Sequence, residues 1–331
     1  MGDRSAIEWT NATWNVITGC SKVSSGCKNC YAERWFPRSY HGREFTDVRT
    51  HPERLEQPLK WKRPRRIFVN SMSDLFHEAV ADHFIEQVFA VMALAEQHTF
   101  QILTKRPERM AEWASKKQWS ATHICIEIEK DREGGRDYLW NSHAPTAPWK
   151  PWPLSNVWLG VSVEDQATAD ERIPLLLKTP AAVMFVSYEP ALGPVDFRHI
   201  QRNHEVEIDA LTGDHGVHRP LAGRSDARLD WVIADGESGP RARPSHPDWF
   251  RIVRGQCQAA GVAFFFKQWG EWQPWEDAKG LVERFQTARV KRFPDAEPGI
   301  GEWADVVRVG KKTAGRLLDG REWSEYPRPR V

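Results

Sequence analysis

Residues 231–266, WVIADGESGPRARPSHPDWFRIVRGQCQAAGVAFFF, decide the fold. An apolar run, Trp231–Ala234, ends in the polar, glycine-containing segment Asp235-Gly236-Glu237-Ser238-Gly239, and a second run, Val262–Phe266, is apolar throughout. Runs of this kind without polar alternation suit strands covered on both faces of a parallel sheet. Between them, Asp248–Ala260 follows a Ser-His-Pro start and stops at Gly261, as a helix with an N-terminal proline and a C-terminal glycine does. Strand, helix and strand in that order make a βαβ unit.

The same rhythm continues outward. Thr13–Ile17, Ile67–Asn70, Phe100–Leu103, Val157–Val161 and Val183–Ser187 read as strands, and His83–Glu96 (HFIEQVFAVMALAE) carries apolar residues at helical spacing. Seven strands with helices between them predict an α/β fold, a partial or complete (β/α) barrel, with a doubly wound open sheet as the alternative. In either architecture the chemistry sits at the carboxyl ends of the strands. Two polar stretches, at about 128–153 and 198–230, break the rhythm and read as insertions. The βα pattern stops after Gln273, so residues 1–272 are expected to form the barrel and 273–331 a C-terminal extension packed on it.

Lys plus Arg (46) and Asp plus Glu (45) leave a formal charge of +1, which excludes a protein that coats polyanions by bulk charge. Any polyanion site must be local. No uncharged apolar stretch approaches the ~18 residues of a membrane span, and the start MGDRSAIEW lacks the apolar region of a signal peptide. A cytoplasmic protein without a membrane partner is expected. The 12 histidines form neither an HxxxH nor an HExxH pair, so a mononuclear hydrolase centre has no support.

The segment GCSKVSSGCKNCY, from Gly19, places Cys20, Cys27 and Cys30 in a C-x6-C-x2-C arrangement directly after the first predicted strand. Three soft ligands on one loop can hold a metal. A structural zinc would need a fourth ligand, from Cys125, Cys257 or a histidine, and a [4Fe–4S] cluster held by three thiolates keeps one iron open. Three buried thiols with no metal are the plainer alternative. Cys125 and Cys257 read as small core residues.

Three cysteines after the first strand of such a barrel resemble the radical S-adenosylmethionine (SAM) superfamily, with the first gap stretched from three residues to six and Tyr31 after the third cysteine. TWNVITGCSKVSSGCKNCYAER, FVNSMSDLFHE, FQILTKRPERM, VWLGVSVEDQ, FVSYEPALGPV, GESGPRARPSHPDW, QCQAAGVAFFFKQWGEW and GKKTAGRLLDGREW together resemble a phage-borne, radical-SAM-like family of unknown function. That family often has Gly-Gly before Glu-Ser-Gly, where this chain has Asp235-Gly236. The resemblance implies a radical SAM enzyme: a [4Fe–4S] cluster on Cys20, Cys27 and Cys30, SAM on its open iron, a 5′-deoxyadenosyl radical, and an electron donor such as a flavodoxin or ferredoxin.

It also gives the strand ends their expected roles. Ser71, Ser73 and Asp74 offer oxygen acceptors to the SAM ammonium, or cap the next helix. Ser162 and Glu164 are expected to hold ribose hydroxyls, Asp165 to cap a helix, and Gly236 to let backbone approach a ligand. Glu189 and Glu237 are candidate ligand-binding or proton-relay carboxylates. Lys267, at the end of an apolar run, should meet Glu237 or Glu189, either as a structural salt bridge or as a catalytic group beside those two carboxylates.

Lys105, Arg106, Arg241 and Arg243 suit an anionic group. The run Lys60-Trp61-Lys62-Arg63-Pro64-Arg65-Arg66 is the densest local cluster of cations, with Lys62, Arg63, Arg65 and Arg66 as candidate polyanion contacts, supported by Arg308, Lys311, Lys312 and Arg316. The favoured substrate is therefore a nucleotide or nucleic acid. The alternative function is a nucleic-acid-binding module whose three-cysteine loop holds a structural zinc or a redox-sensing iron–sulfur site.

Overall fold

The computed structural model describes residues 5–115, 152–203, 206–214, 227–282, 289–293 and 304–328. The seven runs become the strands of one sheet: β1 (Ala12–Trp14), β2 (Arg66–Val69), β3 (Thr99–Thr104), β4 (Val157–Val163), β5 (Val183–Tyr188), β6 (Trp231–Asp235) and β7 (Ala263–Gln268). They lie side by side in chain order, every neighbouring pair parallel. The sheet is open and strongly curled, a half-barrel with helices against its outer face. Of the partial or complete barrel expected, the partial form is present, because among the described residues β1 and β7 remain the two edges of the sheet. This is a generic partial (β/α) barrel, with nothing particular to the radical SAM type.

Alternation along the strands sorts the core into two layers. On the inner face Phe68, Trp158, Val183, Phe185, Trp231, Ile233 and Phe265 pack with Trp9. The Trp9 ring lies 4.7 Å from Phe68 and 6.1 Å, edge-on, from Trp231, so the N-terminal segment fills the hollow of the curl. On the outer face Ile67, Val69, Phe100, Ile102, Leu159 and Val186 join the main core under the helices. Burying one such side chain stabilises the fold by roughly 1.5–3 kcal/mol. Gly160 has a specific reason to lack a side chain: a Cβ there would stand 2.6 Å from the Phe185 ring.

The helices that orient the site are α1 (Tyr31–Ser39), α2 (Asp82–Leu94), α3 (Pro107–Ser115), α4 (Gln166–Lys178) and α5 (Pro247–Ala260). Asp165 caps α4: its carboxylate accepts from the Thr168 N–H at 2.9 Å, while the Asp165 N–H donates to Thr168 Oγ1 at 3.1 Å. Helix α5 ends at Gly261, whose φ of 68° is the left-handed conformation expected of a C-cap.

The second predicted insertion is more than a polar loop. Ile200–Asn203 pairs antiparallel with Val206–Ile208, and Ile200, Ile208, Ala210, Leu211 and Leu229 are buried in the main core. Its short apolar residues are too sparse to give a period, yet they cover the sheet. His215 and His218, and the first insertion up to residue 151 with Cys125, lie outside the described residues. After β7 the chain forms an antiparallel sheet of Trp272–Pro274, Val290–Phe293 and Ala304–Arg308. It then returns to the edge of the half-barrel, where the Phe266 N–H donates to Trp323 O at 3.0 Å. Among the described residues, no helix is long and apolar enough to cross a membrane.

Candidate functional site

Toward the carboxyl ends of the strands the inner layer turns polar. Above Phe68, Leu103 and Phe185 come Lys105, Ser162, Ser187, Glu189 and Lys267, which with Trp9 and the three-cysteine loop line a cavity of about 600 Å³. Its volume falls within the range of small-ligand pockets.

The charges in this wall are internally paired. Lys267 Nζ lies 2.6 Å from Glu189 Oε1 and 2.7 Å from Asp235 Oδ2, and Gln268 Nε2 donates to Asp235 Oδ2 at 3.1 Å. Burial pushes the Asp235 carboxyl well above its ordinary range, against the pull of Lys267 and with the push of the Glu189 charge. Burial also works against ionising Glu189, but the charge and hydrogen bond of Lys267 leave it below the ordinary range. Lys267 stays charged: burial opposes it, and the two carboxylates more than compensate. The expected partner Glu189 is thus present, and Glu237 is engaged elsewhere.

On the other wall Lys105 Nζ pairs with Glu164, which is fully buried and also receives Arg172 Nη1 at 3.2 Å from α4. Glu164 further accepts from Ser24 Oγ at 3.0 Å, and a Cβ on Gly26 would collide with its carboxylate at 2.4 Å. The three-cysteine loop is therefore pressed against the end of β4. Its other side is held by Glu237, which accepts from Asn29 Nδ2 at 3.0 Å and forms a two-point pair with Arg243, at 2.9 Å from Nε and 2.5 Å from Nη2. Burial raises the Glu237 carboxyl, but the hydrogen bonds of Arg243 and Asn29 bring it below the usual range.

Other predicted residues stand outside the cavity wall and have local partners. Asp74 accepts from Thr104 Oγ1 at 2.8 Å, the Lys105 N–H at 3.0 Å and Arg106 Nη1 at 3.2 Å. Arg106 is further held by Glu78 at 2.9 Å and by Ser21 Oγ at 2.7 Å. Ser71 Oγ donates to Asn15 Oδ1 at 3.1 Å and Ser73 Oγ to Ile17 O at 2.9 Å. Gly236, by contrast, lines the cavity, and its close backbone approach is to Trp269, whose carbonyl a Cβ would meet at 2.0 Å. The basic run precedes β2 and so lies at the amino end of the sheet, away from the cavity. There Lys62 and Arg63 are exposed, Arg65 stacks on Trp61 at 5.0 Å and Arg66 covers Tyr326 at 4.0 Å.

The metal reading is corrected at the cysteines. Among the described residues, no group of three or more His, Cys, Asp or Glu side chains is placed to hold a metal ion. Each thiol has its own surroundings: Cys20 Sγ faces Arg106 Nη1 at 3.7 Å, Cys27 Sγ faces Ser24 Oγ at 3.9 Å, and Cys30 stands at the N-cap of α1. Burial pushes the Cys20 thiol up to about 12 and raises Cys30 as well. The expected [4Fe–4S] cluster, SAM binding and radical SAM activity are withdrawn on this geometry, together with the zinc or iron–sulfur site of the alternative. The expected flavodoxin- or ferredoxin-like donor rested on that cluster.

A different set of residues forms the rim. Tyr31 and Trp35, on α1, are exposed at 41% and 47% and line the mouth. Lys28, Arg34, Arg241 and Lys311 are exposed beside them, and among the described residues these four form no ion pair. The Arg38 guanidinium lies 4.5 Å from the centre of the Trp35 ring. Of the rim cations, Arg241 and Lys311 were singled out from sequence as candidate anion contacts. The signal for the rest is the segment Tyr31-Ala32-Glu33-Arg34-Trp35-Phe36-Pro37-Arg38, where aromatic and basic residues interleave.

Over residues 4–327 the chain belongs to the family described as Protein of unknown function (DUF5131). That description carries no phage association and no cofactor, which corrects the expected phage-borne, radical-SAM-like family. No curated protein matches the chain, and no solved structure does.

Proposed function

We propose that this protein is a nucleic-acid-binding module that holds a single strand across the open mouth of the half-barrel. The observation that carries this reading is the rim: exposed Tyr31 and Trp35 interleaved with the four unpaired cations Lys28, Arg34, Arg241 and Lys311, on a chain whose formal charge is only +1. Exposed aromatic rings supply stacking surfaces for bases, and cations beside them track the phosphates, which is how single strands are held without a sequence code. Lys105, Arg106, Arg243 and Lys267 are each committed to a carboxylate, so the rim holds the cations with charge to spare.

The test is fluorescence anisotropy of labelled single-stranded DNA and RNA oligonucleotides titrated with the protein over a range of KCl concentrations. For three to four phosphate contacts, log K should fall with log[salt] with a slope of about −2 to −3. Trp35→Ala should weaken binding by about fivefold or more, as the loss of one stacking ring does. No binding at low salt, or binding indifferent to both Trp35→Ala and Arg34→Ala, would overturn the reading.

A further inference from the structure

We infer that the cavity beneath the rim takes one unstacked base of the bound strand, a neutral heterocycle that both donates and accepts hydrogen bonds. The inference rests on the nucleic-acid reading of the rim and goes further by assigning an occupant to the interior.

The separation of charge carries it. Outside, the cations are unpaired; inside, each is already matched, Lys105 by Glu164 and Lys267 by Glu189 and Asp235. A phosphate drawn past Arg34 and Lys311 at the mouth to the depth of Lys105 and Lys267 would find no free positive charge and would lose its water, whereas at the rim it keeps its water and meets Lys28, Arg34 and Arg241. A neutral ring loses little by entering. The polar groups that line the interior are of both kinds: the Lys267 ammonium and the Ser162 hydroxyl can donate, and the Glu189 carboxylate accepts. A ring that enters among them needs both kinds of polar edge, since a polar group buried without a partner is costly.

The rest of the lining suits a flat ring. Trp9, Phe68 and Leu103 give it an apolar side, and Ser162 and Ser187 line it from neighbouring strands, the Ser187 hydroxyl donating to Glu189 at 3.3 Å. At about 600 Å³ the space holds a nucleoside, and Tyr31 and Trp35 flank its entrance, where adjacent bases remain stacked. Withdrawing a base from a single strand breaks stacking but no base pairs, so the cost is at the low end for base extrusion.

Removing one base at a time from a short oligonucleotide tests this. With an oligonucleotide that binds the wild-type chain, one abasic position should weaken binding by about tenfold, more than any other single removal. Ser187→Phe and, separately, Ser162→Phe would fill the cavity. Either variant, if its circular dichroism and melting curve match those of a folded chain, should bind all the abasic oligonucleotides alike. The wild-type scan decides the matter even if neither variant folds. Binding that is equally sensitive to every position, or a singular position that survives the filled cavity, would overturn the inference and leave the rim reading standing. Absence of oligonucleotide binding altogether would overturn both.

Discussion

Lys267, at the end of β7, reaches Glu189, just beyond β5, at 2.6 Å and bridges on the way to Asp235 on the intervening β6, at 2.7 Å. One ammonium therefore fastens three adjacent strand ends where the inner core gives way to the cavity. Lys267→Met keeps the aliphatic stem and removes the charge, which leaves two carboxyl groups buried without their counterion. The expected loss is about 3–5 kcal/mol, read as a lower urea midpoint with an unchanged m-value. Adding Asp235→Asn to that variant should recover part of the loss, because an amide replaces a group that burial already holds toward its neutral form.

The pair between Glu237 and Arg243 gives a pH dependence of definite sign. The Glu237 carboxyl lies below its ordinary range in the folded chain, so folding favours the ionised form. Its contribution is fully present above the ordinary carboxylate value of about 4.3 and is lost as pH falls through the depressed folded value. Since Asn29 shares the same carboxylate, acid should loosen the three-cysteine loop along with global stability. Urea midpoints between pH 7 and pH 3 should show this slope in the wild type and less of it in Glu237→Gln. Identical slopes would remove Glu237 from the account.

At Gly160 the constraint is steric. A methyl group would sit 2.6 Å from the Phe185 ring, inside any normal carbon contact, on two adjacent strands in the middle of the sheet. Gly160→Ala should destabilise by about 1–3 kcal/mol through overpacking. Phe185→Leu combined with it should cost less than the sum of the two single changes, since the smaller side chain yields the space. A thermal-melt double-mutant cycle measures the coupling directly.

The strands were legible because a parallel strand buried on both faces is an apolar run whatever its neighbours, and Val157–Val163 and Val183–Tyr188 are buried at every position. Helix α5 was legible from local signals at both ends, Pro247 and Gly261. The site was less so, because its logic lies in pairings between strands. Lys105 and Arg106 are consecutive cations in the sequence, but only the fold shows that Glu164 and Asp74 already neutralise them. Arg172 lies on the helix beyond Glu164, and no local pattern announces that it turns back to meet that carboxylate. The cysteines show the same limit: spacing sets how far apart three thiols are along a loop, not where each sulfur points. Cys20 is turned toward Arg106, and among the described residues no metal-holding group forms. Sequence density of charge also does not say where in the fold the cations stand. The run at Lys60–Arg66 outweighs the rim in number, but it precedes β2 and sits at the wrong end of the sheet for the cavity.

That last contrast separates two surfaces by experiment. If the strand crosses the mouth, Arg34→Ala and Arg241→Ala should each lower the magnitude of the salt slope by about 0.7, the share of one phosphate contact on a single strand. Lys62→Ala with Arg63→Ala removes two exposed cations at the amino end and should leave both affinity and slope within error of the wild type. The comparison is fair because all four residues are exposed and none is needed for a buried pair. Anisotropy titrations at several KCl concentrations measure all the variants against one oligonucleotide. A slope that falls with Lys62 and Arg63 and not with Arg34 and Arg241 would move the binding face to the opposite end of the half-barrel and detach it from the cavity.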